Sequence, residues 1–234
     1  MVKYYNPFWV IIFVFLTFQI SSLPPLYLLD SLGDWVYQNP VMVSMTYIGE
    51  VEMYPIRDNL AGLIAMPIAI FFILWRMKKR KIPLSELGSL EIERKPIYLS
   101  IFLLALFLIF EELYFYLLGI EMPESFIEFM LAEPILLGFI SVVVVAPIIE
   151  EFLFRGFLYS QLRRSALKDW GAIAVSSLVW TAIHFQYEIG ILFFLFLFGL
   201  FLGLLRLKYG SLLIPIVLHA INNLLSFLQV IYYA

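Results

Sequence analysis

Two acidic residues and one arginine stand out because they directly follow a strongly apolar run. Glu150 and Glu151 come after the apolar residues 140–149, and Arg155 follows Glu151 by four positions. Side chains four apart lie on the same face of a helix, so Glu151 and Arg155 can form an ion pair. Glu150 points about a quarter of a turn away from that pair, which leaves its carboxylate free. A free carboxylate can take a proton from water as a general base.

The two histidines of the chain also lie at apolar segments. His184 follows Trp180 by four positions, and His219 precedes Asn223 by the same interval. Because residues four apart share a helix face, His219 and Asn223 can both donate hydrogen bonds to one oxygen. Two donors aimed at one oxygen are what an oxyanion site requires. The spacing therefore favours Asn223 over its neighbour Asn222 as the partner of His219.

The composition decides which elements must position these groups. Of 234 residues, 63% are hydrophobic and only 14% are charged, and the mean hydropathy is +0.95. A soluble domain could not bury so much apolar surface, so the bilayer must be the solvent. Helices satisfy their own backbone groups in hydrocarbon. We therefore expect an all-α, polytopic transmembrane helical bundle of about seven to eight helices, with residues 1–234 forming a single integral membrane domain.

Seven apolar segments are expected to form the spanning helices, and they cover residues 8–20, 60–75, 97–118, 134–164, 171–185, 189–205 and 211–232. The first is interpreted as a retained anchor, because no small-x-small cleavage site follows it. Residues 30–59 are expected to form an exposed loop, and Pro96 is expected to break the chain before the third span.

Basic residues indicate the orientation of these helices. The densest cluster covers residues 76–81, and further clusters occur at 163–164 and 206–208. With seven spans, all of them fall on one side, which the positive-inside rule assigns to the cytoplasm. The sequence thus predicts an integral protein with a cytoplasmic amino terminus, in the cell membrane of a prokaryote.

Five short motifs occur in a fixed order: Glu-Glu-x-x-Phe-Arg-Gly at 150–156, Trp-x-x-x-His at 180–184, Gly-x-x-x-Gly at 199–203, Gly-Ser-Leu at 210–212 and His-Ala-x-x-Asn at 219–223. This order resembles the motif set of the CAAX-processing and bacteriocin-processing (CPBP) family of intramembrane glutamic endopeptidases. The resemblance covers residues 134–226, which would form the catalytic core. One departure is Trp180, since the family usually has phenylalanine there.

The resemblance implies hydrolysis of a peptide bond in a membrane-associated substrate. It implies that Glu150 is the general base and that His184 helps to bind the attacking water. His219 and Asn223 would stabilise the oxyanion. The substrate could be a prenylated carboxy-terminal peptide, a leader peptide or a bacteriocin precursor.

The remaining polar and small residues have structural interpretations as well. The resemblance implies that Glu151 and Arg155 support the site, although alone they would read as an ion pair at a helix end. The second acidic pair, residues 111–112, has no arginine at helical spacing and is expected near the outer interface or in a polar cavity. Gly199 and Gly203 are expected to let two helices approach closely.

The residue types in the chain indicate which cofactors and partners to expect. The chain has no cysteine and no HExxH motif, so no cofactor is expected, and zinc at Glu150, His184 and His219 is the minority alternative. The expected partners are the lipid bilayer and a membrane-associated peptide or protein, not nucleic acid, while the oligomeric state stays open. Two alternative functions are a non-catalytic bacteriocin immunity factor or scaffold, and a transporter.

Overall fold

The computed structural model describes residues 6–14, 16–17, 25, 28, 53–91, 94–123, 126–127 and 135–233. Its helices are α1 (residues 7–14), α2 (Met53–Arg80), α3 (Arg94–Leu118), α4 (Ile135–Leu162), α5 (Lys168–Ala182), α6 (Ile189–Tyr209) and α7 (Leu213–Tyr233). Within these ranges the only β-type pairing is an isolated bridge between Ser89 and Ser211. The all-helical class predicted from the sequence is therefore confirmed.

Four helices in the described part of the chain are long and apolar enough to cross a membrane, namely α3, α4, α6 and α7. Many of their large apolar side chains point outward, including Phe102 and Ile109 of α3. Outward-facing apolar side chains are what a helix presents to lipid. The chain is thus an integral membrane protein with a helical bundle.

Helix α4 is continuous through the residues that carry the acidic pair, as the sequence predicted. It contains two π-helical segments, Phe139–Val145 and Phe152–Leu158, and the α-helical stretch Ala146–Glu151 lies between them. A π-helical turn adds a residue to the turn and is often found at functional sites. Nothing in the apolar pattern of this segment indicated these turns.

Helices α2, α3 and α5 begin earlier in the chain than the sequence predicted. Helix α2 begins at Met53, so the last residues of the expected loop are helical, and helix α3 begins at Arg94 with Pro96 in its first turn. Proline is tolerated in a first turn because the backbone N–H there has no helical acceptor. Of the expected anchor helix, residues 8–14 and 16–17 are helical, and the rest lies outside the described residues.

The glycines of α6 let it pack tightly against α5. A Cβ at Gly203 would lie 2.7 Å from Cγ2 of Ile173, and one at Gly199 would lie 3.0 Å from Cβ of Ser177. Only glycine permits such an approach without displacement of the neighbour. The predicted packing role of the two glycines is confirmed.

The linker between α2 and α3 is held against the ends of other helices. Within residues 82–91, the carbonyl of Ser89 accepts a hydrogen bond from the backbone N–H of Leu212 at 2.8 Å. Glu86 forms an ion pair with Arg164, just after α4. These contacts gather the ends of α2, α4 and α6, and the starts of α3 and α7, at one end of the bundle.

Candidate active site

Three helices bring the polar side chains together. Helix α4 supplies Glu150 and Glu151, helix α5 supplies Trp180, and helix α7 supplies His219. The side chains of Trp180 and His219 are 1% and 4% exposed, so both face the interior of the bundle. The site lies where these helices meet.

The carboxylate of Glu151 is paired with an arginine and a histidine. Its Oε1 lies 2.9 Å from Nη1 of Arg155 and 3.0 Å from Nδ1 of His219, and the three side chains are almost completely buried. The second terminal nitrogen of Arg155, Nη2, donates to the carbonyl of Gly199 at 3.2 Å. The predicted Glu151–Arg155 pair is confirmed, and it belongs to a network that joins α4, α6 and α7.

The hydrogen bonds of Glu151 also indicate which ring nitrogen of His219 carries a proton. A carboxylate paired with arginine only accepts, so Nδ1 of His219 must carry the proton directed at Glu151. Nε2 is then an acceptor in the neutral ring and a donor in the imidazolium. Nε2 faces Glu150, at 4.0 Å from Oε2.

Glu150 has a different environment from its neighbour in the sequence. Its Oε2 accepts a hydrogen bond from Nε1 of Trp180 at 2.5 Å. Its side chain is 14% exposed, whereas that of Glu151 is 0% exposed. Glu150 is thus the carboxylate that a water molecule or substrate can reach.

His184 lies in the turn that follows α5, because the helix ends at Ala182 and not at Phe185 as predicted. The backbone N–H of His184 bonds to the carbonyl of Thr181 at 3.0 Å, a three-residue bond that tightens the last turn. Nδ1 of His184 lies 2.9 Å from the carbonyl of Trp180. A carbonyl only accepts, so Nδ1 carries the proton and Nε2 can bind water.

Asn223 lies on the side of α7 that faces α4, as its spacing from His219 predicted. Its Nδ2 donates to the carbonyl of Val142 at 2.9 Å, within the first π-helical segment of α4. His219 contacts Glu151 instead, so these two bonds do not meet on one oxygen. The oxyanion role of the pair stays a prediction.

Two aromatic residues complete the site, and the sequence did not reveal their contacts. The ring of Trp180 lies 5.0 Å from that of His184 and 5.5 Å from that of His219, and the guanidinium of Arg155 stacks 4.7 Å above it. Tyr187 stacks on His184 with 6.2 Å between ring centroids. Burial raises the pKa of the Tyr187 phenol above its usual value. The motif had indicated only that an aromatic residue precedes His184 by four positions.

A polar cavity of about 440 Å³ opens beside Tyr187, between the end of α3 and the start of α6. It is lined by Gly119, Glu121, Met122, Pro123, Gln186, Tyr187 and Glu188. The stacking of Tyr187 on His184 places this cavity next to the site.

Two further expectations from the sequence concern metal ligation and the second acidic pair, residues 111–112. Among the residues that the structure describes, no three His, Cys, Asp or Glu side chains are close enough to hold a metal ion. Of the acidic pair, Glu112 accepts a hydrogen bond from Gln229 of α7 at 3.1 Å, in an exposed contact.

These features define an integral membrane protein whose apolar helices enclose a site with two carboxylates and two histidines. Residues 132–225 match the family described as type II CAAX prenyl endopeptidase Rce1-like. This match supports the resemblance to the CPBP family of membrane proteases over these residues, which make up less than half of the chain.

One curated protein shows a similarity over part of its length. An Escherichia coli protein described as an uncharacterized 24.3 kDa protein is 36% identical over 87 residues, which make up 36% of this chain and 40% of that protein. The match thus spans less than half of the curated relative. No solved structure matches the chain.

Proposed function

We propose that this chain is an intramembrane endopeptidase that hydrolyses a peptide bond in a membrane-associated peptide. The observation that supports the proposal best is the contrast between the two adjacent carboxylates. Glu151 is buried against Arg155 and His219, whereas Glu150 is accessible and lies between the indole of Trp180 and Nε2 of His219. Glu150 is therefore available as a base.

The proposed reaction needs only water and these side chains. Glu150 takes one proton from a water molecule that His184 helps to hold through Nε2, and the resulting hydroxide attacks the peptide carbonyl carbon. When the tetrahedral intermediate collapses, the C–N bond breaks and the leaving amine receives the proton from Glu150. A separate group must stabilise the negative oxygen in between.

His219 and Asn223 are the groups proposed to stabilise that oxygen. Because Nδ1 of His219 donates to Glu151, Nε2 can donate only when the ring is doubly protonated. The buried carboxylate of Glu151 is well placed to stabilise this imidazolium. Asn223 uses one N–H on Val142, and the second N–H of the same amide is left for the substrate.

The wider parts of the proposal follow from the same assignment. Residues 134–226 would be the catalytic core of one membrane domain, and the reaction would need no metal. The substrate would be a prenylated carboxy-terminal peptide, a leader peptide or a bacteriocin precursor, in a prokaryotic cell membrane. The basic end of the bundle, with the amino terminus, would face the cytoplasm.

Cleavage of a library of membrane-anchored peptides, read by mass spectrometry, tests the proposal. The detergent-purified protein should give products that Glu150→Gln reduces by about a thousandfold or more, because the amide cannot act as the base. Glu112→Gln is the matched control, since it changes a carboxylate of α3 that contacts only Gln229 among the described hydrogen bonds. It should cut like the unaltered protein, and a strong chelator should have no effect.

Other outcomes would favour the alternatives. Loss of cleavage on chelation would indicate a metalloprotease with zinc at Glu150, His184 and His219. If folded protein cuts none of the peptides, a non-catalytic immunity factor or scaffold becomes the better hypothesis. The buried network around Glu151 would then serve only to join helices.

A further inference from the structure

The hydrogen bond between Trp180 and Glu150 joins α5 to α4 inside the site. Nε1 of Trp180 donates to Oε2 of Glu150 at 2.5 Å, and the indole is 1% exposed. A buried indole N–H requires an acceptor, and a bond to an ionised acceptor is stronger than one to a neutral group. The carboxylate of Glu150 is therefore held through one of its two oxygens.

The indole itself is held on several sides. The guanidinium of Arg155 lies 4.7 Å above its ring, and the ring of His219 meets it nearly perpendicularly, at 87°. The ring of Phe198 lies 6.3 Å away on α6. Because these contacts fix the plane of the indole, they also fix the direction of its N–H.

We propose that Trp180 is a positioning residue for the reaction, and that its N–H holds Oε2 of Glu150 so that Oε1 faces the attacking water. This inference rests on the proposed function. Phenylalanine, the usual residue at this position in the family, would supply an aromatic ring but no N–H to donate a hydrogen bond. Trp180 thus gives this chain an additional means of orienting its base.

Two replacements separate the N–H from the volume of the ring. Trp180→Phe removes the donor and shortens the ring, whereas site-specific benzothienylalanine replaces the N–H by sulfur at nearly constant shape. Both should lower kcat by about ten- to one-hundredfold, the effect of losing one hydrogen bond to a charged group, with KM changed less than about twofold. Trp170→Phe is the control, because Trp170 lies on the same helix and is 71% exposed.

The kinetic pattern decides between positioning and packing. Full activity with benzothienylalanine but not with phenylalanine would overturn the inference, because only the volume would then matter. Equal kcat in all variants would overturn it as well. An unaltered protein that cuts no peptide would contradict the proposed function itself, and the inference with it, which is a result distinct from the other two.

Discussion

Glu150 and Glu151 are adjacent in the sequence, but the bundle gives them opposite surroundings. Glu151 lies against Arg155 and His219 with no exposed surface, and Glu150 keeps a partly open side chain beside Trp180. A buried carboxylate is tolerated only when it is paired, since desolvation of a lone charge costs more than a folded protein can lose. The two residues thus have separate physical tasks.

Removal of the arginine tests the structural task. Arg155→Met should lower the free energy of unfolding by about 3–5 kcal/mol, because it leaves the carboxylate of Glu151 buried without its cation. The control is Arg163→Met, whose ion pair with Asp169 is 40% and 38% exposed and should contribute about 1 kcal/mol or less. Titration of both variants with SDS in mixed micelles measures the difference, and equal losses would show that the buried pair has no special weight.

The sequence predicted the ion pair of Glu151 and Arg155, because both lie on one helix and the spacing alone decides their contact. It did not predict that His219 contacts Glu151 or that Trp180 binds Glu150. Those contacts join residues 68 and 30 positions apart, and they depend on how each helix is rotated in the bundle. Spacing within a helix carries no information on that rotation.

Among the helices, the contact of α5 with α6 depends most strictly on residue size. Gly203→Ala should lower the free energy of unfolding by about 1–3 kcal/mol, because the new methyl group would displace Ile173, a buried and β-branched residue. Gly138→Ala is the matched control, since its Cβ would meet only Phe227, at an ordinary 3.5 Å. That change should be neutral or slightly stabilising.

The same SDS titration compares the two alanine variants. Equal stability of Gly203→Ala and Gly138→Ala would contradict this prediction. It would mean that α5 and α6 can move apart around the new methyl group without loss of folding free energy.

Hydropathy predicted where the apolar helices lie, but it did not predict their ends or their internal turns. Helix α5 stops at Ala182 because His184 and its neighbours bond to the last carbonyls, and the π-helical turns of α4 place Val142 opposite Asn223. Both features arise from particular side-chain contacts. Mean hydropathy over a window of residues does not depend on such contacts, so it cannot predict them.

At the scale of the whole molecule, basic residues collect at one end. Arg164 pairs with Glu86 of the linker, Arg206 donates to the carbonyl of Glu86 at 3.3 Å, and Lys79 and Lys208 lie exposed at the ends of α2 and α6. The sequence predicted that its basic clusters share a side, and the structure places them together. Which compartment that side faces is still a prediction.

The lack of cysteine allows a direct test of orientation. Single cysteines at Lys79 or Lys208 should react with a membrane-impermeant maleimide only when the cytoplasmic face is accessible, because the positive-inside rule assigns that end to the cytoplasm. A cysteine at the exposed Glu188, in the turn before α6, should react from the opposite face. The reverse pattern in intact cells would invert the predicted topology.

The short length of α5 has a consequence for the lipid around the protein. Its 15 residues rise only about 22 Å, whereas the hydrocarbon layer of a bilayer is about 30 Å thick. Trp170 and Leu178 are exposed along this helix, so this face is open to the acyl chains of surrounding lipid. We expect acyl chains beside a helix this short to compress, which would bring the headgroup layer closer to His184. We therefore expect the thickness of the host membrane to affect how readily water reaches the candidate site.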